Sequence, residues 1–253
     1  MFILKRLKRT GTFAPLGVDM HCHLLPGVDD GSKSIDMTVD CLRIMKKVGF
    51  ENVILTPHFQ MRYPNDEDDV AVRYARLKAQ LDQMDDPSLA HVVTVSGEYR
   101  FDQDYARRPG VDRVVPLPGN RLLCEFALHQ SGEVPFDMFR KYQSMGYTLI
   151  LAHPERYPYF GVYSEDLTAL REMGVLFQCN ILSLVGFYGD GAQQKGMDMI
   201  KRGWVEYLGT DLHNMHYAAA LQQAADDKEI RKILSTYKFL NNSILSPPPT
   251  AGE

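Results

Sequence analysis

A single α/β barrel of parallel strands with helices outside is the fold class this sequence predicts. Short β-like apolar runs alternate with helical stretches along almost the whole chain, the order that strand–helix–strand crossovers impose. About seven such units follow one another without an internal linker, a number that favours a barrel over an open sheet. The length of 253 residues suits one such domain. No repeat of fixed period is visible.

The elements can be taken in order. Residues 18–20 form a short apolar run before the first histidines. Residues 34–48 carry Met37, Cys41, Leu42, Met45 and Val48 at helical spacing, and Gly49 follows as a stop. Residues 53–56 read as a strand ended by Pro57. Residues 66–84 read as a helix whose first turn is crowded with acids, favourable to its dipole. Strands are expected at 92–96 and 121–126, with the proline-bearing stretch 102–120 as a long loop between them. A helix at 136–145, a strand at 148–152, a helix at 165–173 and a strand at 175–179 come next. A helix at 192–202, a strand at 205–208 and two short helices complete the barrel, expected over 17–245. Residues 1–16 read as a basic N-terminal arm, with Lys5, Arg6, Lys8 and Arg9, and residues 246–253 as a flexible proline-rich tail.

Composition removes several function classes. The net charge of −4 offers no basic field for nucleic acid. No apolar run approaches the ~18 residues of a membrane span, so membrane contact is at most peripheral, through the basic arm. The apolar stretch of the N-terminus is too short for a secretory signal. Cys22, Cys41, Cys124 and Cys179 form no CxxC pair and no disulfide framework. A cytoplasmic protein is expected. Walker, GxGxxG and GxSxG motifs are missing, as is a cysteine-based phosphatase loop.

The chemistry lies at the strand ends. His21 and His23 follow the first strand with one residue between them, so on an extended segment both rings point to one side. Cys22 then faces the other way. His58 ends the second strand unit, Glu98 follows the third, Glu125 ends the fourth and His153 ends the fifth. Asp211 and His213 follow the last strand, and Asp29 and Asp30 sit in the loop after the first. In a parallel barrel those ends converge on the face that carries active sites. Asp29 alone is ambiguous, because Asp-Gly loops turn chains without metals. This many mixed N/O donors exceeds the four that one zinc takes. Two or three ions sharing carboxylate bridges fit better, with Mn, Fe, Zn and Mg all admitted by the donor types.

These residues resemble the polymerase-and-histidinol-phosphatase (PHP) family of metal phosphoesterases, and more narrowly the CpsB/YwqE-type bacterial protein-tyrosine phosphatases. The carrying segments are DMHCHLLPGVDDG from Asp19 to Gly31, Thr56-Pro57-His58, Gly97-Glu98, Glu125-Phe126, Ala152-His153-Pro154-Glu155-Arg156, and Asp211-Leu212-His213-Asn214. The resemblance spans roughly residues 17–245. It implies a distorted (β/α)7 TIM-like barrel of the PHP type and three divalent ions, Mn foremost. It also implies that His21, His23, Glu98 and Asp211 hold the first ion, with Glu98 bridging to a second held by Glu125 and His153. Asp30, His58 and His213 would hold the third, and Arg156 would bind the substrate phosphate and act in catalysis. The implied substrate is the tyrosine-rich tail of a bacterial tyrosine kinase that controls exopolysaccharide assembly.

One departure stands out. Family members often carry a second arginine a few residues after the Asp-x-His-Asn segment, and here that stretch has none. His216, Arg62 and Arg100 are the candidates to replace it. For the aromatic ring of a phosphotyrosine, Phe59, Tyr63, Tyr99, Phe101, Tyr157 and Tyr159 are the expected lining. Three alternatives stay open at this level. One is a phosphatase for histidinol phosphate or another small phosphomonoester. Another is an amidohydrolase-like barrel, though no bridging lysine follows a middle strand. The last is a metal-stabilised regulatory binding module without turnover.

Overall fold

The computed structural model describes residues 11–89, 92–107, 110, 112–128, 133–161 and 163–246. The basic residues of the expected arm and nearly all of the proline-rich tail lie outside these. The inner end of the arm is no arm at all: Phe13 and Leu16 are buried, and Phe13 stacks on Phe50 at 5.4 Å.

Strand β1 (Val18–Asp19) is followed by helix α1 (Ile35–Val48) and by β2 (Asn52–Leu55) and β3 (His58–Phe59). Helix α2 (Glu67–Gln83), β4 (Val92–Val95), β5 (Glu98–Arg100) and the short α3 (Gln103–Ala106) come next. The chain continues with β6 (Arg121–Glu125), α4 (Phe136–Ser144), β7 (Thr148–Ala152), α5 (Glu165–Glu172) and β8 (Leu176–Asn180). It ends with α6 (Asp190–Lys201), β9 (Tyr207–Gly209), α7 (Met215–Ala224) and α8 (Lys228–Thr236). Among the described residues all ladders are parallel, in two sheets ordered β1-β2-β4 and β3-β5-β6-β7-β8-β9.

The two sheets are one progression with two interruptions. β2 and β3 are halves of one strand unit broken at Thr56-Pro57, and β4 and β5 are halves of the next, broken at Ser96-Gly97. Pro57 has no N–H to give the ladder, but its carbonyl accepts from Glu98 N at 3.0 Å. At Gly97 a Cβ would lie 2.6 Å from the Tyr99 ring and 2.7 Å from the Phe59 ring, so glycine is required there. The first and last units meet at a parallel bridge between Cys22 and Leu212, flanked by bonds from Asp211 N to His21 O and from His23 N to Leu212 O. The result is a distorted barrel-type α/β fold.

Its apolar interior is divided accordingly. Val18, Met20, Ile54, Leu117, Leu123, Ile150, Ala152, Tyr207 and Ile244 pack as one buried cluster, mostly from strand faces turned to one side. A larger cluster joins the other faces to the helices. Ser34 caps α1 by accepting from Met37 N, and Gly49 ends it in the left-handed conformation at φ 115°. Asn214 caps α7 in the same way as Ser34, accepting from His216 N and Tyr217 N. No helix among the described residues is long and apolar enough to cross a membrane. All four cysteines are buried and unpaired.

Candidate metal centre

Apart from Asp30, in the loop between β1 and α1, the expected ligands stand at the downstream ends of strand units, and the fold gathers them. His21 and His23 extend past β1, His58 opens β3, and Glu98 opens β5. Glu125 ends β6, His153 follows β7, and Asp211 and His213 follow β9. His153 (φ 37°) and Asp211 (φ 50°) occupy the left-handed region, which costs a non-glycine residue about 1–3 kcal/mol where the fold imposes it. This is strain held at the cluster itself. Cys22 points away, with its Sγ 3.5 Å from Ile54 O.

The orientation of the rings is set from behind. His21 Nδ1 donates to Gln178 Oε1 at 2.7 Å, His23 Nδ1 to Asp29 Oδ2 at 3.0 Å, and His213 Nδ1 to the Asp211 carbonyl at 2.8 Å. A ring that donates from Nδ1 keeps its Nε2 lone pair free, and here that nitrogen faces the centre. There His21 Nε2 lies 3.2 Å from His23 Nε2 and 3.3 Å from Glu98 Oε1. His23 Nε2 lies 3.3 Å from Glu98 Oε2 and 3.4 Å from Asp211 Oδ1. His153 Nε2 is 3.1 Å from Glu98 Oε1, and His58 Nδ1 is 2.9 Å from Glu98 Oε2 and 3.3 Å from Glu125 Oε1. Asp30 is half-exposed, 3.4 Å from His58 Nε2 and 3.7 Å from His213 Nε2.

Among the described residues four overlapping triads have ligand atoms within 4.8 Å of one another: His23/His58/His213, His21/His23/Asp211, His21/Glu98/His153 and His58/Glu98/Glu125. Two imidazole lone pairs facing each other beside buried carboxylates are stable only with cations among them, protons or metal ions. The electrostatics say the same. Burial disfavours a charged His23, yet hydrogen bonds to Asp211, Asp29 and Glu98 hold its pKa well above the usual value. Burial and the His23 charge also oppose a charged His58, but Glu125 and Glu98 push it up to about 10. Burial alone would raise Asp29, whereas the His23 hydrogen bond and charge leave it at about 2. His213 goes down to about 4, because burial and the His23 charge outweigh Asp211. The residues fit divalent ions.

Two arginines flank the cluster. Arg156 Nη1 donates to Asp211 Oδ2 at 2.6 Å, and its guanidinium lies over the Tyr188 ring at 4.1 Å. On the other side, Arg100 Nε and Nη2 reach Glu125 Oε1 at 3.1 and 2.9 Å. Arg62 and His216 are exposed and connect to the cluster only through rings. Arg62 lies over Tyr63, which stacks on His58. His216 packs on Phe187, which packs on Tyr217 and so reaches His213. The expected aromatic lining is largely corrected: Phe59, Tyr99, Phe101 and Tyr157 are fully buried core residues. Only Tyr63 and Tyr159 keep partial exposure.

Several supporting residues were given no role by the sequence. Asp29, ambiguous there, anchors His23 and accepts from Gly31 N and His58 N at 2.9 and 3.0 Å. Gln178 and Asn180 sit two apart on β8 and face the same way. Gln178 orients His21, and Asn180 Nδ2 donates to Asp211 Oδ2 at 2.7 Å. Gly209 on the neighbouring strand leaves room for this pair, since a Cβ there would lie 2.8 Å from Gln178 Nε2 and 2.9 Å from His21 Cβ. Glu155, fully buried beside Arg156, accepts from Asn180 N at 3.0 Å and from Ser183 Oγ at 2.6 Å. Glu155→Ala strands both donors and is expected to cost about 1–3 kcal/mol. That corresponds to a fall of several degrees in melting temperature for a chain this long. Glu155→Gln, which keeps an acceptor, should lose less. An unchanged melting temperature in Glu155→Ala would remove the residue from this structural role.

The family described as capsular polysaccharide synthesis, CpsB/CapC, matches residues 17–239. CapC of Staphylococcus aureus is 28% identical over 220 residues, covering 85% of this chain and 84% of CapC. The tyrosine-protein phosphatase YwqE of Bacillus subtilis (strain 168) is 27% identical over 205 residues, 78% of each chain. A crystal structure from work on YwqE of Bacillus subtilis and CpsB of Streptococcus pneumoniae, described as unique metal-dependent tyrosine phosphatases, superimposes with a TM-score of 0.72. It is 25% identical and covers 90% of this chain and 94% of that one. With a match spanning nearly all of the barrel, this chain belongs to the capsular polysaccharide synthesis family CpsB/CapC.

Proposed function

We propose that this protein is a metal-dependent protein-tyrosine phosphatase. Its substrate in this reading is the phosphorylated, tyrosine-rich tail of a bacterial tyrosine kinase controlling capsule or exopolysaccharide production, met in the cytoplasm. The observation that carries the reading is the inward-facing set of imidazoles and carboxylates with an arginine on each side. Its relatives YwqE and CpsB bear the tyrosine-phosphatase name. Three divalent ions, Mn foremost, are assigned as follows. His21, His23, Glu98 and Asp211 would hold one, Glu98, Glu125 and His153 a second, and Asp30, His58 and His213 the third.

When bound, such ions supply the Lewis acidity that makes water nucleophilic at neutral pH and neutralise phosphate charge. The chain's own groups do the rest. Gln178, Asp29 and the Asp211 carbonyl keep three Nε2 atoms turned inward. Arg156 binds the non-bridging phosphate oxygens with its planar fork. Arg100 brings the same chemistry from the Glu125 side, in place of the arginine missing after Asn214. Arg62 and His216 stand further out at the mouth. A phenolate leaving group, with a pKa of about 10, departs more readily than an alkoxide.

The test compares phosphotyrosine peptide, phosphoserine peptide and histidinol phosphate, each with Mn²⁺ and with chelator. Phosphotyrosine should lead phosphoserine by at least about tenfold in kcat/KM, which needs only ~1.4 kcal/mol of differential transition-state binding. Equal turnover of the peptides, or faster histidinol-phosphate hydrolysis, would reject the tyrosine-phosphatase reading.

A further inference from the structure

Building on that phosphatase reading, we propose that Phe187, Tyr188 and Tyr217 form the subsite for the aromatic ring of an aryl phosphate substrate. These rings are a continuous wall that begins at the metal centre. Tyr217 lies 5.3 Å from the His213 ring, Phe187 lies 5.1 Å from Tyr217, and Tyr188 lies 5.0 Å from Phe187 and 6.3 Å from Tyr217. The wall also carries the Arg156 guanidinium, 4.1 Å from the Tyr188 centroid. A phosphate held between Arg156 and the cluster therefore has this wall beside it. In an aryl phosphate the ring is joined to phosphorus through a single oxygen, so its centre lies about one ring's length from the phosphate. Offset or edge contacts between such a ring and the wall are the arrangement that aromatic quadrupoles favour.

The wall is built to hold still. Phe187 and Tyr188 follow a 3-10 turn, Ile181–Val185, that ends at Gly186 with φ 79°. Phe187 N is tied back to Leu182 O, and Ser183 of the same turn is bonded to Glu155. Tyr217 stands in the first turn of α7, whose backbone is capped by Asn214. All three residues keep partial exposure, unlike the buried Phe59, Tyr99, Phe101 and Tyr157, although the Tyr188 hydroxyl itself is buried. On the opposite side of the cluster Tyr63 stands alone on His58, and the Tyr159 ring is packed on Tyr157 and Phe160, so no continuous wall forms there among the described residues. A phosphoserine or phosphothreonine places only aliphatic carbon where the ring would sit, so it forgoes the wall.

The test separates recognition of the ring from chemistry. Binding of phenylphosphonate and methylphosphonate to the Mn²⁺-loaded enzyme is measured by calorimetry in wild type, Phe187→Leu and Tyr217→Leu. Hydrolysis of p-nitrophenyl phosphate, metal content and melting temperature are recorded alongside. Wild type should bind phenylphosphonate about tenfold tighter than methylphosphonate. Each leucine variant, with metal content retained, should erode that preference at least threefold. A general packing defect would instead weaken both phosphonates together and leave the ratio intact. An unchanged ratio in both variants of an enzyme that still hydrolyses p-nitrophenyl phosphate overturns the subsite alone. Absence of hydrolysis by the Mn²⁺-loaded wild type overturns the phosphatase reading and the subsite with it.

Discussion

Exhaustive chelation is expected to abolish phosphate-ester hydrolysis while leaving the protein folded, and Mn²⁺ is expected to restore the activity. The two halves of this expectation have separate grounds. Among the described residues the apolar clusters contain none of the ligand residues, so loss of ions leaves the apolar core in place. The centre, by contrast, gathers Glu98, Glu125 and Asp211 around imidazoles whose Nε2 atoms face inward. Without metal, protons supply the positive charge. His23 is held well above its usual pKa, after its burial cost, by Asp211, Asp29 and Glu98, and His58 is at about 10. Metal ions must displace those protons. Affinity therefore falls as pH falls, and calorimetry in buffers of different ionisation enthalpy should show net proton release on Mn²⁺ binding. Binding to the folded state alone also raises stability, by about 2.7 kcal/mol at a free concentration one hundred times Kd. His21→Ala, which removes a ligand from two of the triads, should lose both metal and rate. Full activity after verified metal removal would reject the metal mechanism.

What the sequence made legible follows from which information is local. The succession of elements and the gathering of the candidate ligands could be read because the β–α alternation and a polar residue at each strand end are both written within a few positions. His21 and His23 illustrate it: the two-residue period of an extended segment is enough to put both rings on one side and Cys22 on the other. The division of two strand units was half-legible. Pro57 was seen to stop a strand, but not that the chain resumes pairing at His58 one residue later. The residues behind the ligands were not legible. Gln178 meets His21 across 157 positions, and Asn180 meets Asp211 across 31, and a neutral amide on a strand has no pattern that sets it apart. Aromatic residues failed for the opposite reason. Phe59, Tyr99, Phe101 and Tyr157 lie close in sequence to His58, Glu98 and Arg156, yet large rings next to a site on a strand alternate into the core as readily as into the mouth. Tyr188, which supports Arg156, and Tyr217, which packs on His213, are placed by through-space contacts alone and have no local marker.

Arg156→Ala should retain the metal ions and lose rate, by about 10²–10³ in kcat, the loss associated with removing one donor aimed at developing transition-state charge. Metal retention is expected because Asp211 does not depend on Arg156 for its position. Asn180 Nδ2 also donates to Asp211 Oδ2 at 2.7 Å, and Asp211 N is tied to His21 O at 2.8 Å. The guanidinium is poised rather than spent. Its Nη1 pairs with Asp211 at 2.6 Å, the side chain is only 16% exposed, and Tyr188 supports its face at 4.1 Å. That leaves further N–H groups of the planar fork for a phosphate at almost no cost in ordering. Arg156→Lys keeps the charge but replaces the fork with a flexible point charge, so it should recover only part of the lost rate. Arg100→Ala gives a contrast, because both of its resolved contacts go to one oxygen of Glu125. Its loss should change metal occupancy as well as rate. Steady-state kinetics with an aryl phosphate, run beside metal analysis of each variant, distinguish these outcomes. A wild-type rate in Arg156→Ala would take the residue out of the mechanism. A matching loss of metal and rate would make it a support for Asp211 and no phosphate ligand.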